Sequence, residues 1–229
     1  ERATGRPLHR SVVWQDRRTA ASLRELQRLG HAERVLDRTG LPLDPYFSAA
    51  KIAWILDHVP GARARPERGE LCAGTIDSWL VFQLTGGEVF ATDPSNASRT
   101  SLFDLERGDW SDELCELFLV PRVCLARVQA SASDFGTTRE LRWPLRAVLG
   151  DQQAALFGHG CIEPGDTKCT YGTGAFVLSV ADGLPARSAD ALTTVAWRIG
   201  KLTTFAREGS VLVCGAAVQW LRDALGILN

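Results

Sequence analysis

A carboxylate and an amide stand side by side where a strand signal changes into a helix signal. Asp151 and Gln152 follow Gly150, between the strand signal 145–149 and the helical pattern 152–158. Ligands of α/β proteins bind beyond the carboxyl ends of strands, and a carboxylate there can take a proton from a substrate hydroxyl. Aspartate is also a common N-cap of helices. Spacing alone therefore leaves a catalytic role and a capping role open.

A glycine-rich turn is the second feature that suggests chemistry. Gly172-Thr173-Gly174 separates two strand signals and predicts a tight hairpin that exposes backbone N–H groups and one hydroxyl. Such N–H groups can bind phosphate, although an ordinary hairpin has the same pattern. Gly215 and Gln219 lie four residues apart on a predicted helix and therefore share one face. A flat ligand or a second helix could approach that face closely, and helix packing is the default interpretation.

Three aromatic residues lie beside turns or strand ends instead of inside helices: Trp14, Tyr46 and Phe176. Aromatic rings can cover the carbon atoms of a small polyol while polar groups hold its hydroxyls. Each of these residues taken alone is more often part of a hydrophobic core.

The elements that must position these residues mix helices with strands. Apolar residues at helical spacing predict helices at 16–29, 48–59, 75–84 and 112–119, the last capped by Ser111, and a final helix capped by Ser210. Strand signals occur at 12–14, 145–149, 167–171, 175–180, 192–199 and 202–206. Because hairpins concentrate after residue 160, the pattern predicts an α/β chain that crosses a domain boundary.

Composition and charge narrow the class of protein. Hydrophobic residues make up 45% and charged residues 23%, and the net charge is −1, which is typical of a globular protein and favours neither nucleic acid nor a membrane surface. No apolar run approaches the roughly 20 residues of a membrane span, and no signal peptide is evident. The six cysteines are scattered without a C-x-x-C pair, which predicts free, buried thiols in the cytoplasm and no metal site.

Taken together, the ordered motifs are much more specific than any one of them. They are WQDRR at 14–18, DPYFS at 44–48, NASRT at 96–100, GDQQAALFG at 150–158, TYGTG at 170–174 and GAAVQWLR at 215–222. This series resembles the FGGY carbohydrate kinases, and within them the branch that phosphorylates glycerol. The resemblance covers essentially the whole chain.

The resemblance implies an α/β fold of the actin-like ATPase type, with two ribonuclease-H-like domains and ligands in the cleft between them. Residues 1–158 would form most of the N-terminal domain without its first strands, and 159–229 the beginning of the C-terminal domain. The absence of methionine and the abrupt helical end predict a chain that is incomplete at both ends.

The resemblance also implies transfer of the γ-phosphoryl group of ATP to the terminal hydroxyl of glycerol, with Mg²⁺, giving sn-glycerol 3-phosphate. Asp151 matches the general base of the family, and Gln152 and Tyr46 match residues that hold glycerol hydroxyls. Trp14 and Phe176 match aromatic residues that pack against the glycerol carbons. On the nucleotide side of the cleft, the matching residues are Thr173, Gly215 and Gln219.

Several family elements are expected outside the chain: a phosphate-binding hairpin and an Arg-Glu pair before residue 1, and the adenine-binding region after residue 229. The chain alone is therefore predicted to be inactive. Segment 137–145 departs from the glycine-rich loop by which some relatives bind a sugar-phosphate inhibitor. Two alternatives stay open: a non-catalytic binding module with this fold, and an FGGY kinase for another polyol or sugar. The expected partners are glycerol and ATP, with no nucleic acid and no integral membrane segment, and a homo-oligomer is left open.

Overall fold

The computed structural model describes residues 1–188 and 190–227. Its helices are α1 (Ala20–Arg28), α2 (Ala32–Thr39), α3 (Ser48–His58), α4 (Ile76–Leu84), α5 (Pro94–Ala97), α6 (Asp112–Leu117), α7 (Asp151–Gly158) and α8 (Gly215–Asp223). Its strands are β1 (Ala91–Thr92), β2 (Phe103–Asp104), β3 (Asp109–Trp110), β4 (Arg127–Val128), β5 (Thr167–Tyr171), β6 (Ala175–Val180), β7 (Leu192–Ile199) and β8 (Leu202–Val211). The predicted mixture of helices and strands is confirmed.

The largest sheet follows the predicted hairpins. Strands β5 to β8 form an antiparallel sheet in the order β5-β6-β8-β7. Two short pairs complete the sheet structure of the described residues: β1 runs parallel to β4, and β2 runs antiparallel to β3. Tyr171 pairs with Ala175 across the Gly172–Gly174 turn, as the glycine pattern predicts.

The sheet packs directly onto the helical part of the chain. Val195 of β7 and Phe205 of β8 belong to the same buried cluster as Leu23 of α1, Ile52 of α3 and Leu114 of α6. Burial of such side chains stabilises the fold by roughly 1.5–3 kcal/mol each. One continuous core therefore fixes the sheet relative to helices from the first half of the chain.

The predicted helices form with small differences at their ends. Helix α3 begins at Ser48 as expected, and the Ser111 hydroxyl caps α6 by accepting a hydrogen bond from the backbone N–H of Leu114 at 3.3 Å. All six cysteines are free thiols, as predicted, but only Cys115 and Cys124 are buried and Cys169 is exposed. None of the helices within residues 1–188 and 190–227 is long and apolar enough to cross a membrane.

Three local predictions are wrong. Segment 12–14 is not a strand, and Trp14 lies in a turn. Segment 145–149 forms no strand and makes a single isolated bridge, between Ala147 and Ala132, because its partner segment turns at Gly136 (φ 94°). The final helix is not capped by Ser210, because Ser210 pairs with Phe176 inside β8 and the helix begins only at Gly215.

Candidate active site

The three predicted aromatic residues meet in space although they come from three separate segments. The ring centroid of Trp14 lies 5.8 Å from that of Tyr46 and 6.4 Å from that of Phe176, and both pairs are edge-to-face. Trp14 is 38% exposed, and the other two rings are half-buried. We call Trp14, Tyr46 and Phe176 the aromatic wall, since Trp14 contacts the other two rings and all three are partly exposed.

A buried lysine joins two of the segments that carry the aromatic wall. The ammonium of Lys51 on α3 donates to the backbone carbonyls of Val13 at 2.8 Å and Tyr46 at 3.2 Å. Burial lowers the pKa of Lys51, and the nearby carboxylates of Asp16 and Asp44 oppose that shift. Lys51 thereby ties the turn that holds Trp14 to the turn that holds Tyr46. Sequence reasoning gave this lysine no role.

The Tyr46 ring lies next to the ion pair of Arg99 and Glu208. The guanidinium carbon of Arg99 is 5.6 Å from the centroid of the Tyr46 ring. Arg99 pairs with Glu208 of β8 at a nitrogen–oxygen distance of 2.8 Å, and the Glu208 side chain is only 2% exposed. Burial raises the pKa of the Tyr46 phenol, and the charge of Arg99 acts against that rise. Tyr46 is therefore a neutral hydroxyl at physiological pH, able both to donate and to accept.

The predicted base lies at the first residue of α7. Asp151 is exposed, and its Oδ1 accepts a hydrogen bond from the backbone N–H of Gln152 at 2.8 Å. The backbone N–H of Gly150 donates to the hydroxyl of Ser95 at 2.9 Å. The negative charge of Asp151 acts on the Tyr46 phenol and on the ammonium of Lys168. Asp151 therefore lies within electrostatic reach of the aromatic wall.

A second, fully buried carboxylate anchors this part of the chain. Asp93 is the N-cap of α5 and accepts hydrogen bonds from the Ser95 hydroxyl at 2.8 Å and the Ser131 hydroxyl at 2.6 Å. Because the Ser95 hydroxyl also accepts from Gly150, Asp93 fixes the start of α7 through Ser95. Sequence reasoning missed Asp93, although Asp followed by Pro94 is a recognisable N-cap and first-turn pattern.

Gln152 is held from the sheet side. The ammonium of Lys168 on β5 donates to Gln152 Oε1 at 2.7 Å and to the hydroxyl of Thr170 at 2.7 Å. Burial lowers the pKa of Lys168, while the charges of Asp151 and Glu208 raise it. Thr170 pairs with Phe176 across β5 and β6. The polar group around Gln152 therefore borders the aromatic wall.

Thr173 and Gly215, both assigned to the nucleotide side, lie in segments that contact each other. The backbone N–H of Cys214 donates to the carbonyl of Thr173 at 2.8 Å, and that of Gly215 donates to the carbonyl of Gly172 at 2.9 Å. Gln219 lies one turn further along α8 and is exposed. The turn that contains Thr173 thus packs against the start of α8, and the same hairpin carries Phe176 of the aromatic wall.

A comparison with protein families decides the family. Residues 1–158 match the sequence profile of the N-terminal domain of the FGGY family of carbohydrate kinases. This chain belongs to the FGGY family of carbohydrate kinases. The resemblance predicted from the ordered motifs is confirmed.

Curated FGGY kinases extend the comparison to the whole chain. A glycerol kinase of Myxococcus xanthus is 53% identical over 236 residues, which cover all of this chain and 48% of that protein. A glycerol kinase of Alkalilimnicola ehrlichii is 54% identical, covering all of this chain and 47% of that protein. The chain therefore spans about half the length of the curated relatives that it matches.

Solved FGGY kinases show the same fold. A Plasmodium falciparum glycerol kinase, crystallised with ADP, superposes with a TM-score of 0.92 at 31% identity, covering 98% of this chain and 46% of that one. A xylulose kinase from Lactobacillus acidophilus superposes with a TM-score of 0.76 at 19% identity, covering 94% of this chain and 44% of that one, and shows the fold alone. The predicted actin-like ATPase class of this α/β chain is confirmed.

Proposed function

We propose that a protein containing this chain transfers the γ-phosphoryl group of ATP to the terminal hydroxyl of glycerol, giving sn-glycerol 3-phosphate. The observation that carries the proposal is the convergence of Trp14, Tyr46 and Phe176 from three separate segments, with Gln152 hydrogen-bonded to the strand that pairs with Phe176. The identity of 53–54% to curated glycerol kinases supports it. In this proposal residues 1–158 form most of the N-terminal domain, 159–229 begin the C-terminal domain, and the ligands lie between them.

The polyol is bound by a combination of apolar and polar contacts. Trp14 and Phe176 cover its carbon atoms, while the neutral hydroxyl of Tyr46 and the amide of Gln152 hold its hydroxyls. Burying an apolar surface of that size is worth on the order of 1–3 kcal/mol. Unpaired polar groups in such a pocket penalise ligands that lack matching hydroxyls. The site therefore selects a small molecule with several hydroxyl groups.

Asp151 acts as the general base in this proposal. Its Oδ1 is held by the backbone N–H of Gln152, and Oδ2 has no hydrogen-bond donor among the described residues. Oδ2 takes the proton of the terminal hydroxyl while the hydroxyl oxygen forms a bond to the γ-phosphorus of ATP. The bond between the γ-phosphorus and the β–γ bridging oxygen breaks in the same step, and ADP is released. The anchor through Ser95 and Asp93 keeps Asp151 oriented for this step.

The Thr173 turn, Gly215 and Gln219 form the nucleotide side. The hydroxyl and backbone N–H of Thr173 have no protein partner among residues 1–188 and 190–227, which leaves both free for phosphate oxygens. Those residues contain no group of three or more acidic, His or Cys side chains suited to a metal. Mg²⁺ would enter with the ATP phosphates and neutralise their charge, as is usual for this ion. In this proposal the protein is located in the cytoplasm, where ATP and Mg²⁺ are present.

A substrate panel tests the proposal. The protein containing this chain is supplied with Mg-ATP and with glycerol, longer polyols, xylulose or gluconate, and ADP formation is followed. The proposal predicts the highest kcat/KM for glycerol. A clear preference for a longer sugar would identify a kinase of another specificity, and polyol binding without turnover would identify a non-catalytic module.

A further inference from the structure

Lys168 is a buried cation whose contacts define the orientation of a neighbouring amide. Its side chain is 5% exposed, and its ammonium lies 2.7 Å from Gln152 Oε1. An ammonium has three donors and no acceptor. Only the oxygen end of the Gln152 amide can therefore face Lys168, since the NH₂ end would place donor against donor.

The opposite end of the same amide is open. The hydroxyl of Thr170 also donates to Gln152 Oε1, at 3.3 Å, so that both lone pairs of this oxygen have a donor. Gln152 Nε2 has no acceptor within hydrogen-bonding distance in the part of the chain that the structure describes. Gln152 follows Asp151 at the start of α7, and the ammonium that binds its Oε1 also feels the charge of Asp151.

Lys168 is not needed as the counter-charge of the buried carboxylate Glu208. Glu208 is the buried carboxylate on the same sheet face, and Arg99 already pairs with it at 2.8 Å. Burying an ammonium carries a desolvation cost, which is reflected in the lowered pKa of Lys168. Lys168 forms no ion pair with a carboxylate of the described residues, although the charges of Asp151 and Glu208 act on it. Its hydrogen bonds are made to Gln152 and Thr170.

We infer that Lys168 is a positioning residue that fixes Gln152 with Nε2 toward the polyol, so that Gln152 donates a hydrogen bond to a substrate hydroxyl oxygen. The identity of the polyol rests on the proposed function, whereas the orientation of the amide does not. A fixed donor at this position favours a ligand that places a hydroxyl oxygen within reach of Gln152 Nε2.

The first experiment reads the amide directly and needs no turnover. In protein labelled with ¹⁵N-glutamine, the side-chain NH₂ signals of Gln152 are the pair that disappears in Gln152→Ala. Lys168→Met should shift this pair, because the hydrogen bond to Oε1 is lost, whereas the exposed Lys201→Met should leave it in place. Thr170→Val, which removes the second donor, should shift it less and keeps the test available if Lys168→Met does not fold. An unmoved pair in Lys168→Met and Thr170→Val would overturn the inference.

The second experiment measures the consequence for the polyol. Lys168→Met should raise the glycerol KM by up to about tenfold with little change in the ATP KM, because Gln152 is no longer held in the orientation that donates to the polyol. Lys168→Arg should recover most of the effect, and Lys201→Met should behave as wild type. In a Gln152→Ala background, adding Lys168→Met should change the glycerol KM by less than about twofold.

The outcomes separate this inference from the proposed function. An equal effect of Lys168→Met in both backgrounds would show that Lys168 acts independently of Gln152 and would contradict the inference. A wild-type protein that turns over another polyol would contradict the proposed function, and the same mutant cycle would then be measured with that polyol. A protein without turnover would leave the decision to the Gln152 amide signals.

Discussion

Gly215 is the position at which adding one methyl group should disturb the proposed nucleotide side. A Cβ atom at Gly215 would lie 2.4 Å from the carbonyl oxygen and 3.2 Å from the carbonyl carbon of Gly172. Both obstacles are backbone atoms of the turn that carries Thr173, so no side-chain rotation relieves the contact. Gly215→Ala must therefore push this turn and the start of α8 apart.

The size of the effect follows from these distances. An ordinary contact of about 3.4 Å requires the turn to move by about 1 Å from the present 2.4 Å. That movement weakens the hydrogen bonds from Cys214 to Thr173 and from Gly215 to Gly172, now 2.8 and 2.9 Å long. Overpacking of this kind lowers the free energy of unfolding by about 1–3 kcal/mol. In a chain of this length each kcal/mol lowers Tm by about 2–4 °C. A 1 Å misplacement of a site residue can cost about 10²-fold in rate.

The assay measures Tm and the kinetic constants for both substrates on Gly215→Ala and on a matched control. Gly209→Ala is the control, because a Cβ at Gly209 of β8 has no atom within 4 Å. We expect kcat/KM for ATP to fall by about 10²-fold in Gly215→Ala while the glycerol KM changes little. If Gly215→Ala matched Gly209→Ala in both Tm and ATP kinetics, the close packing of Gly215 on the turn would be refuted.

Three further predictions concern other parts of the chain. Phe176→Ala should raise the glycerol KM about tenfold or more, as expected for a lost apolar contact; a lower Tm with an unchanged glycerol KM would instead assign Phe176 to the core. Arg99→Ala should lower the free energy of unfolding in urea by about 3–5 kcal/mol, because Glu208 is left buried and unpaired; a loss below about 1 kcal/mol would contradict this. Burial raises the pKa of Cys124 to about 12, so that its thiolate fraction at pH 8 is about 10⁻⁴. Alkylation followed by mass spectrometry should therefore modify Cys124 much more slowly than the exposed Cys169. Similar alkylation rates for the two thiols would contradict the burial of Cys124.

The parts of the fold that were predictable from sequence depend on local signals. The spacing of apolar residues in α3 and the glycines at 172 and 174 act over a few residues, and both the helix and the hairpin form as predicted. Segment 145–149 has an equally clear apolar pattern, but a strand also needs a regular partner. Its partner 131–137 turns at Gly136, which the apolar pattern of 145–149 does not encode.

The candidate site depended on non-local contacts that spacing does not reveal. The anchor of Asp151 runs from Gly150 to Ser95, which is 55 residues away, and Arg99 reaches Glu208 over 109 residues. Each residue of the aromatic wall looked like a core residue by itself, and only the family motifs grouped them. The cap formed by Asp93 was readable from sequence, but its hydrogen bond to Ser131, and that of Lys168 to Gln152, appear only when the chain is folded.

The most direct test of the account is the kinetics of Asp151→Asn in the protein containing this chain, with the exposed Asp182→Asn as control. The substitution keeps the shape of the side chain and removes the proton acceptor. We expect kcat for glycerol phosphorylation to fall by about 10²- to 10⁴-fold in Asp151→Asn, with little change in the ATP KM, and we expect Asp182→Asn to behave as wild type. A kcat within a few-fold of wild type would contradict the role of Asp151 and with it the proposed mechanism.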